Sequence, residues 1–188
     1  MPVEKLKYNT TLADGAIEVR DYPEVAVAEV TVSGDRNTAG NAGFKLLAGY
    51  IFGANVGRRR LAMTAPVVVA SSETESLASA SQTPFSKHVG SWLVRFIMPA
   101  GQRLESLPKP DDARVQLRSS PATRIATLRF SGLASEAAIQ RKTEELQSFL
   151  AAHRLRSAGR SYLARYNPPW TLWFMRRNEV MIPLEATR

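Results

Sequence analysis

Residues 18–34 read EVRDYPEVAVAEVTVSG, and residues 116–132 read QLRSSPATRIATLRFSG. The two segments align without a gap at a constant spacing (116 − 18 = 98). Five of the seventeen positions are identical: Arg20/Arg118, Pro23/Pro121, Ala28/Ala126, Ser33/Ser131 and Gly34/Gly132. Ordinary residue usage gives about one such match by chance. Four more pairs are apolar on both sides: Val19/Leu117, Val27/Ile125, Val30/Leu128 and Val32/Phe130. The chain therefore carries an internal duplication.

Each copy alternates as a half-buried strand does. Ala26, Ala28, Val30 and Val32 share one face, and Ala126, Leu128 and Phe130 repeat the pattern. Glu29 and Thr31, then Thr127 and Arg129, fall on the opposite face. A Ser-Gly turn ends each strand, and a helix follows. The first is predicted over 37–51, with Ala39, Ala42, Leu46 and Tyr50 on one side and Gly43 and Leu47 beside them. Its glycines make it weak by propensity, so tertiary packing must hold it. The second is predicted over 135–153, with Ser135 as N-cap and Ile139, Leu146, Phe149 and Leu150 as the buried stripe. Strands return at 61–69 and 91–98, and at 161–166 and 179–184. Pro66 suggests an edge or a bulge in the first of these.

Strand–helix–strand–strand thus occurs twice in one domain spanning 1–188, in halves of about 15–99 and 113–184. The fold class is α+β. Residues 70–90, polar and aperiodic, read as a mobile loop.

The net charge is +8, which favours anionic partners. The basic residues are dispersed, Arg58-Arg59-Arg60 being the one triple. With no basic helix and no zinc-finger spacing, specific nucleic-acid binding is not expected. The absence of Cys excludes disulfides and thiolate chemistry. No run of eighteen apolar residues is present, so no membrane span is expected. The start of the chain lacks a signal peptide's apolar region, which favours the cytoplasm unless a leader has been trimmed. No nucleophile elbow, phosphate loop or His-x-x-His spacing is visible, so the chain reads as a binding protein, not an enzyme. Glu179, beside Arg176 and Arg177, is the most interesting acid, with a structural ion pair as its default role.

Residues 166–180, YNPPWTLWFMRRNEV, gather aromatic rings, a Met, two Pro and two Arg. Such a mix suits either a packed lid or a flat, apolar, anionic ligand. Together with EVRDY (18–22), GFKLLAGYI (43–51), AMTAPV (62–67) and FIMP (96–99), it resembles the SOUL/haem-binding protein family over nearly the whole chain. The resemblance implies two pseudo-symmetric halves forming a distorted eight-stranded antiparallel barrel flanked by two helices. This architecture is similar to the effector-binding domains of some bacterial transcription regulators.

It further implies non-covalent haem or porphyrin binding, as a buffer, carrier or sensor, in a cleft between the first helix and the Pro-Pro segment. On that reading Phe44, Leu47 and Ile51 face Tyr166, Trp170 and Met175 across the ring. Arg59, Arg60, Arg176 and Arg177 are the candidate cations for the propionates, with a structural clamp onto the sheet as the favoured role of the Arg176-Arg177 pair. Some family members have His where this chain has Asp21, so strong axial ligation by His is not expected. His88 falls in the loop, and His153 reads as a partner for the carbonyl end of the second helix. Met63, Met98 and Met175 are distant ligand candidates, with core packing as the competing role. The alternatives are a module for another hydrophobic small molecule and a protein-interaction scaffold.

Overall fold

In the computed structural model the chain is described over residues 4–62, 64–72, 90–167 and 171–186. The elements run β1 (Glu4–Lys5), β2 (Asn9–Asp14), β3 (Ile17–Tyr22), β4 (Val25–Gly34), α1 (Arg36–Ile51), β5 (Thr64–Ala65) and β6 (Val67–Ser71). There follow β7 (Gly90–Ile97), β8 (Gln116–Ser120), β9 (Thr123–Ser131), α2 (Glu136–Ala152), β10 (Tyr162–Arg165) and β11 (Arg177–Pro183).

Nine strands make one antiparallel sheet in the order β2-β3-β9-β11-β10-β6-β7-β4-β8, and β1 and β5 form a separate parallel pair. All eight strands of the duplicated set are present, and β2 adds a ninth at one edge. The edges β2 and β8 do not pair with each other, so the barrel-like sheet stays open.

The duplication is visible in the registers. β3 pairs with β9 of the second half, and β8 pairs in return with β4 of the first. Arg20 lies opposite Ile125, and Arg118 opposite Val27. The spacing found in the sequence carries one register onto the other. The halves meet where β6 pairs with β10, Val69 opposite Leu163. Each half therefore supplies a strand that completes the other half's part of the sheet. Pro66 does not mark an edge, because β6 lies inside the sheet between β10 and β7. The proline stands one residue ahead of the ladder, which begins at Val67, so its missing N–H costs no pairing.

The Ser-Gly turns have equivalent backbones, with φ of +138° at Gly34 and +97° at Gly132, where a side chain would be strained. Beyond them the halves diverge. Asp35 caps α1 at once, its carboxylate accepting from the N–H groups of Asn37 and Thr38 at 3.0 Å. Leu133 and Ala134 intervene before Ser135 caps α2 by accepting from Ala138 N–H at 3.2 Å. α2 buries the expected stripe against β3, β9, β10 and β11.

On α1 the buried line is Ala39, Gly40, Gly43, Leu47, Tyr50 and Ile51, while Ala42 and Leu46 are half-buried. The phase differs from the predicted one because Gly40 and Gly43, in line with Leu47 and Ile51, face the sheet, and Ala42 and Leu46 turn partly away. A Cβ on Gly43 would lie 2.5 Å from Val94 Cγ2, so the helix approaches β7 more closely than any side chain there permits. That contact outweighs the poor helix propensity of the glycines, roughly 1 kcal/mol each.

Both helices cover the same face of the sheet, over two apolar clusters. Among the described residues no helix is long and apolar enough to cross a membrane. The predicted loop falls largely outside the described residues.

Candidate functional site

A cleft of about 470 Å³ opens on the helix-bearing face of the sheet, within the size range of small-molecule sites. One wall is the first half of α1, where Asn37, Gly40, Asn41 and Phe44 recur at helical spacing. Its floor is Val67 and Val69 of β6 with Arg165 of β10, side chains that alternate toward this face. The far rim is Leu133, Ala134 and Ser135, and Asn167 with residues 176–178 closes the remaining side. Leu133 and Ala134 are the two residues that the second half has in excess before its helix. They break the symmetry of the halves at the cleft.

The guanidiniums at the cleft are tethered. Arg165 Nη2 donates to Asn37 Oδ1 at 2.9 Å, and Arg176 Nε to the Thr171 carbonyl at 2.8 Å. Burial lowers the pKa of Arg165, and the charge of Arg176 adds to the effect. An anion between them would relieve that repulsion.

The opposite face of the sheet is chemically different. Glu179, fully buried, accepts two bonds from Arg20 (2.7 and 3.1 Å), two from Arg177 (Nη2 at 2.6 Å, Nε at 3.3 Å) and one from the Tyr166 hydroxyl (2.6 Å). Arg20 also donates to Glu18 (2.7 Å) and Tyr22 (3.1 Å) and lies 4.3 Å over the Tyr8 ring. Burial alone would raise the Glu179 carboxyl, but the bonds from Arg20, Tyr166 and Arg177 hold it below the usual range. Burial beside that carboxylate raises Tyr166 far above an ordinary phenol, and it pushes Tyr22 up to about 12. Arg118, the duplicate of Arg20, pairs instead with Glu29 at 2.7 Å, alongside Arg95. The duplication kept the arginine, and different strands supply the carboxylates. Every group is satisfied by a neighbour, which describes a packed structural network.

The structure brings only part of the sequence-predicted constellation together. Phe44 and Arg176 line the cleft. Leu47 and Ile51 do not: they lie in the core against β4 and β7, because the apolar stripe of α1 turns inward over its last two turns. Arg59 and Arg60 belong to the loop beyond the far end of α1, where Arg59 Nη1 donates to the Ser106 carbonyl at 3.2 Å. Tyr166 points to the opposite face, under Arg177 at 4.3 Å. Met175 is exposed on a 3₁₀ turn over Trp173–Met175. Trp170, Met63 and His88 lie outside the described residues. Met98 is core. His153 caps α2, stacked on Phe149 at 4.0 Å, and Asp21 bonds its cross-strand neighbour Arg124 at 2.7 Å.

Sequence reasoning missed Asn37, Gly40, Asn41 and Arg165. The first three repeat every three or four residues up to Phe44, a legible stripe. Arg165 needed the β6–β10 register, which joins residues about a hundred positions apart. Among the described residues no three His, Cys, Asp or Glu side chains gather as metal ligands.

The family model described as SOUL heme-binding protein matches residues 3–183. Heme-binding protein 2 of Mus musculus is 26% identical over 193 residues, covering 95% of this chain and 87% of the mouse protein. Among solved structures, the EcmrR C-terminal domain superposes with a TM-score of 0.66 at 10% identity, covering 96% of this chain and 99% of that one. A hydrolase encoded by lin2189 from Listeria innocua gives 0.61 at 16% identity, covering 90% and 91%. At these identities the two structures share a fold with this chain.

Proposed function

This chain belongs to the SOUL heme-binding protein family, and from that premise we propose that it binds haem or a related tetrapyrrole in the cleft between α1 and Arg165, Asn167 and residues 176–178. The observation that carries the reading is the pairing, in one cleft, of an apolar wall with two guanidiniums. Phe44, Val67, Val69 and Leu133 offer a surface for the ring. Arg165 and Arg176 stand where carboxylates at the ring's edge would meet them.

The residues fit the macrocycle better than they fit the iron. Haem supplies a flat apolar ring, two carboxylates and a metal that takes His, Met, Tyr or Cys as axial ligand. Among the described residues, none that lines the cleft is of those types. Affinity on this reading comes from ring burial and carboxylate pairing, and metal-free protoporphyrin binds about as well as haem. Such a site stores, carries or senses a tetrapyrrole without turnover. The absence of an axial donor also suits another flat, anionic, apolar guest, the second reading.

Titration with haem tests the proposal. The Soret band is expected to saturate at one equivalent per chain, and Phe44→Asp is expected to weaken binding by tenfold or more, about 1.4 kcal/mol. Arg176→Ala is expected to weaken it less. A non-saturating titration, or one that neither substitution changes, would mean adsorption of an anion to a basic surface.

A further inference from the structure

Seven large apolar side chains are exposed among the described residues; Leu133 lines the cleft, and four more run directly up to Arg176, which also lines it. Leu172, Trp173, Phe174 and Met175 are 56–63% exposed on and beside one short turn, and Leu133 is 59% exposed. Backbone bonds hold the two parts of this rim together. Gly132 N–H donates to the Arg176 carbonyl at 3.2 Å, and Asn178 Nδ2 to the Gly132 carbonyl at 2.9 Å. Trp173 and Phe174 meet edge to face, with centroids 5.6 Å apart.

A contiguous apolar patch of this kind marks an interaction surface. Four consecutive residues so exposed form a projection and not a groove, which suits insertion better than the seating of a peptide. Their types, two aromatics with Leu and Met, are those that enter the boundary between headgroups and acyl chains. Arg176 follows the turn directly, and the chain carries a net charge of +8. Guanidiniums beside an apolar projection match lipid phosphates beside acyl chains.

We infer that the rim formed by Leu133 and residues 172–175 docks the protein on an anionic lipid surface, with the mouth of the cleft turned toward the bilayer. Docking rests on the exposed side chains and the positive charge beside them. Its consequence, that an apolar macrocycle enters the cleft directly from lipid, rests on the function proposed above.

The test is sedimentation with vesicles and no porphyrin present. Vesicles of equimolar phosphatidylglycerol and phosphatidylcholine are expected to bind the protein at least about tenfold more tightly than phosphatidylcholine alone. Raised salt should weaken that binding. The double substitution Trp173→Ser/Phe174→Ser is expected to reduce vesicle binding about tenfold or more, leaving the thermal melt and the haem titration unchanged. Equal vesicle binding by wild type and double variant, or none by either, overturns the inference. So does a concentration-dependent dimer, abolished by the double substitution, in a protein that binds no vesicles: the rim would then join two copies. Vesicle binding by a wild type that fails to bind haem supports docking and sinks the ligand reading alone.

Discussion

Glu179 accepts five hydrogen bonds from three side chains and has no exposed surface. Two guanidiniums balance its charge. Replacing it with Gln keeps the shape but leaves the buried Arg20 only the part-exposed Glu18 as counter-charge, and removing one partner of a buried pair costs up to about 3–5 kcal/mol. Chemical denaturation of Glu179→Gln is expected to show a loss of that order. The lowered pKa has a second consequence. A carboxyl that binds protons more weakly when folded contributes its full stability above the ordinary glutamate value of 4.5. That contribution is lost as pH falls below this value toward the folded one. The melting temperature of the wild type should therefore drop on acidification through that window, and that of Glu179→Gln should drop less. Parallel curves would contradict this account. The sequence showed the acid beside two arginines and so an ion pair. It did not show that Arg20, 159 positions away, is the principal partner, because long-range pairing depends on register.

At the scale of the element, α1 is held by close approach and not by propensity. Gly43→Ala improves intrinsic helix preference by roughly 1 kcal/mol, yet its methyl would overlap Val94. Overpacking of this kind costs about 1–3 kcal/mol. A net loss of stability is expected for Gly43→Ala, and partial recovery when Val94→Ala is added, as read by urea denaturation. A stabilised Gly43→Ala would show that the helix stands further from the sheet. Asp35→Ala should cost about 1 kcal/mol through the lost cap. The existence of both helices was legible from apolar spacing and from the turns before them. The phase of α1 was not, because glycines carry no hydropathy signal although they mark the closest contact. The cleft residues were hidden for the same reason: Asn37, Gly40 and Asn41 are small or polar, and the apolar Leu47 and Ile51 drew attention to a stretch that belongs to the core.

For the whole molecule, the exchange of β3 and β8 between halves is the organising feature. Arg20, Pro23 and the Ser-Gly turn repeat in the sequence, and their registers repeat in the sheet. Each half, expressed alone, lacks the strand that covers β4 or β9 and presents a bare edge. Separate halves divided near residue 102 are expected to aggregate or remain unfolded, and co-expression should restore one folded complex by size exclusion and circular dichroism. A half that folds as a monomer would mean the exchange is dispensable. The sequence revealed the duplication but not the exchange, since residue spacing is the same whether a strand pairs within its half or across. Leu133 and Ala134, the two extra residues before α2, give the cleft a rim with no counterpart in the first half.

The central claim is that a tetrapyrrole lies on the helix-bearing face of the sheet, against α1. Amide spectra of isotope-labelled protein titrated with diamagnetic zinc protoporphyrin test it directly, because ring currents shift nearby nuclei strongly. The account predicts the largest shifts at Gly40, Asn41, Phe44, Val69 and Asn167, with Tyr8, Tyr22 and Tyr162 on the other face unmoved. Large shifts at those tyrosines, with α1 unchanged, would contradict it.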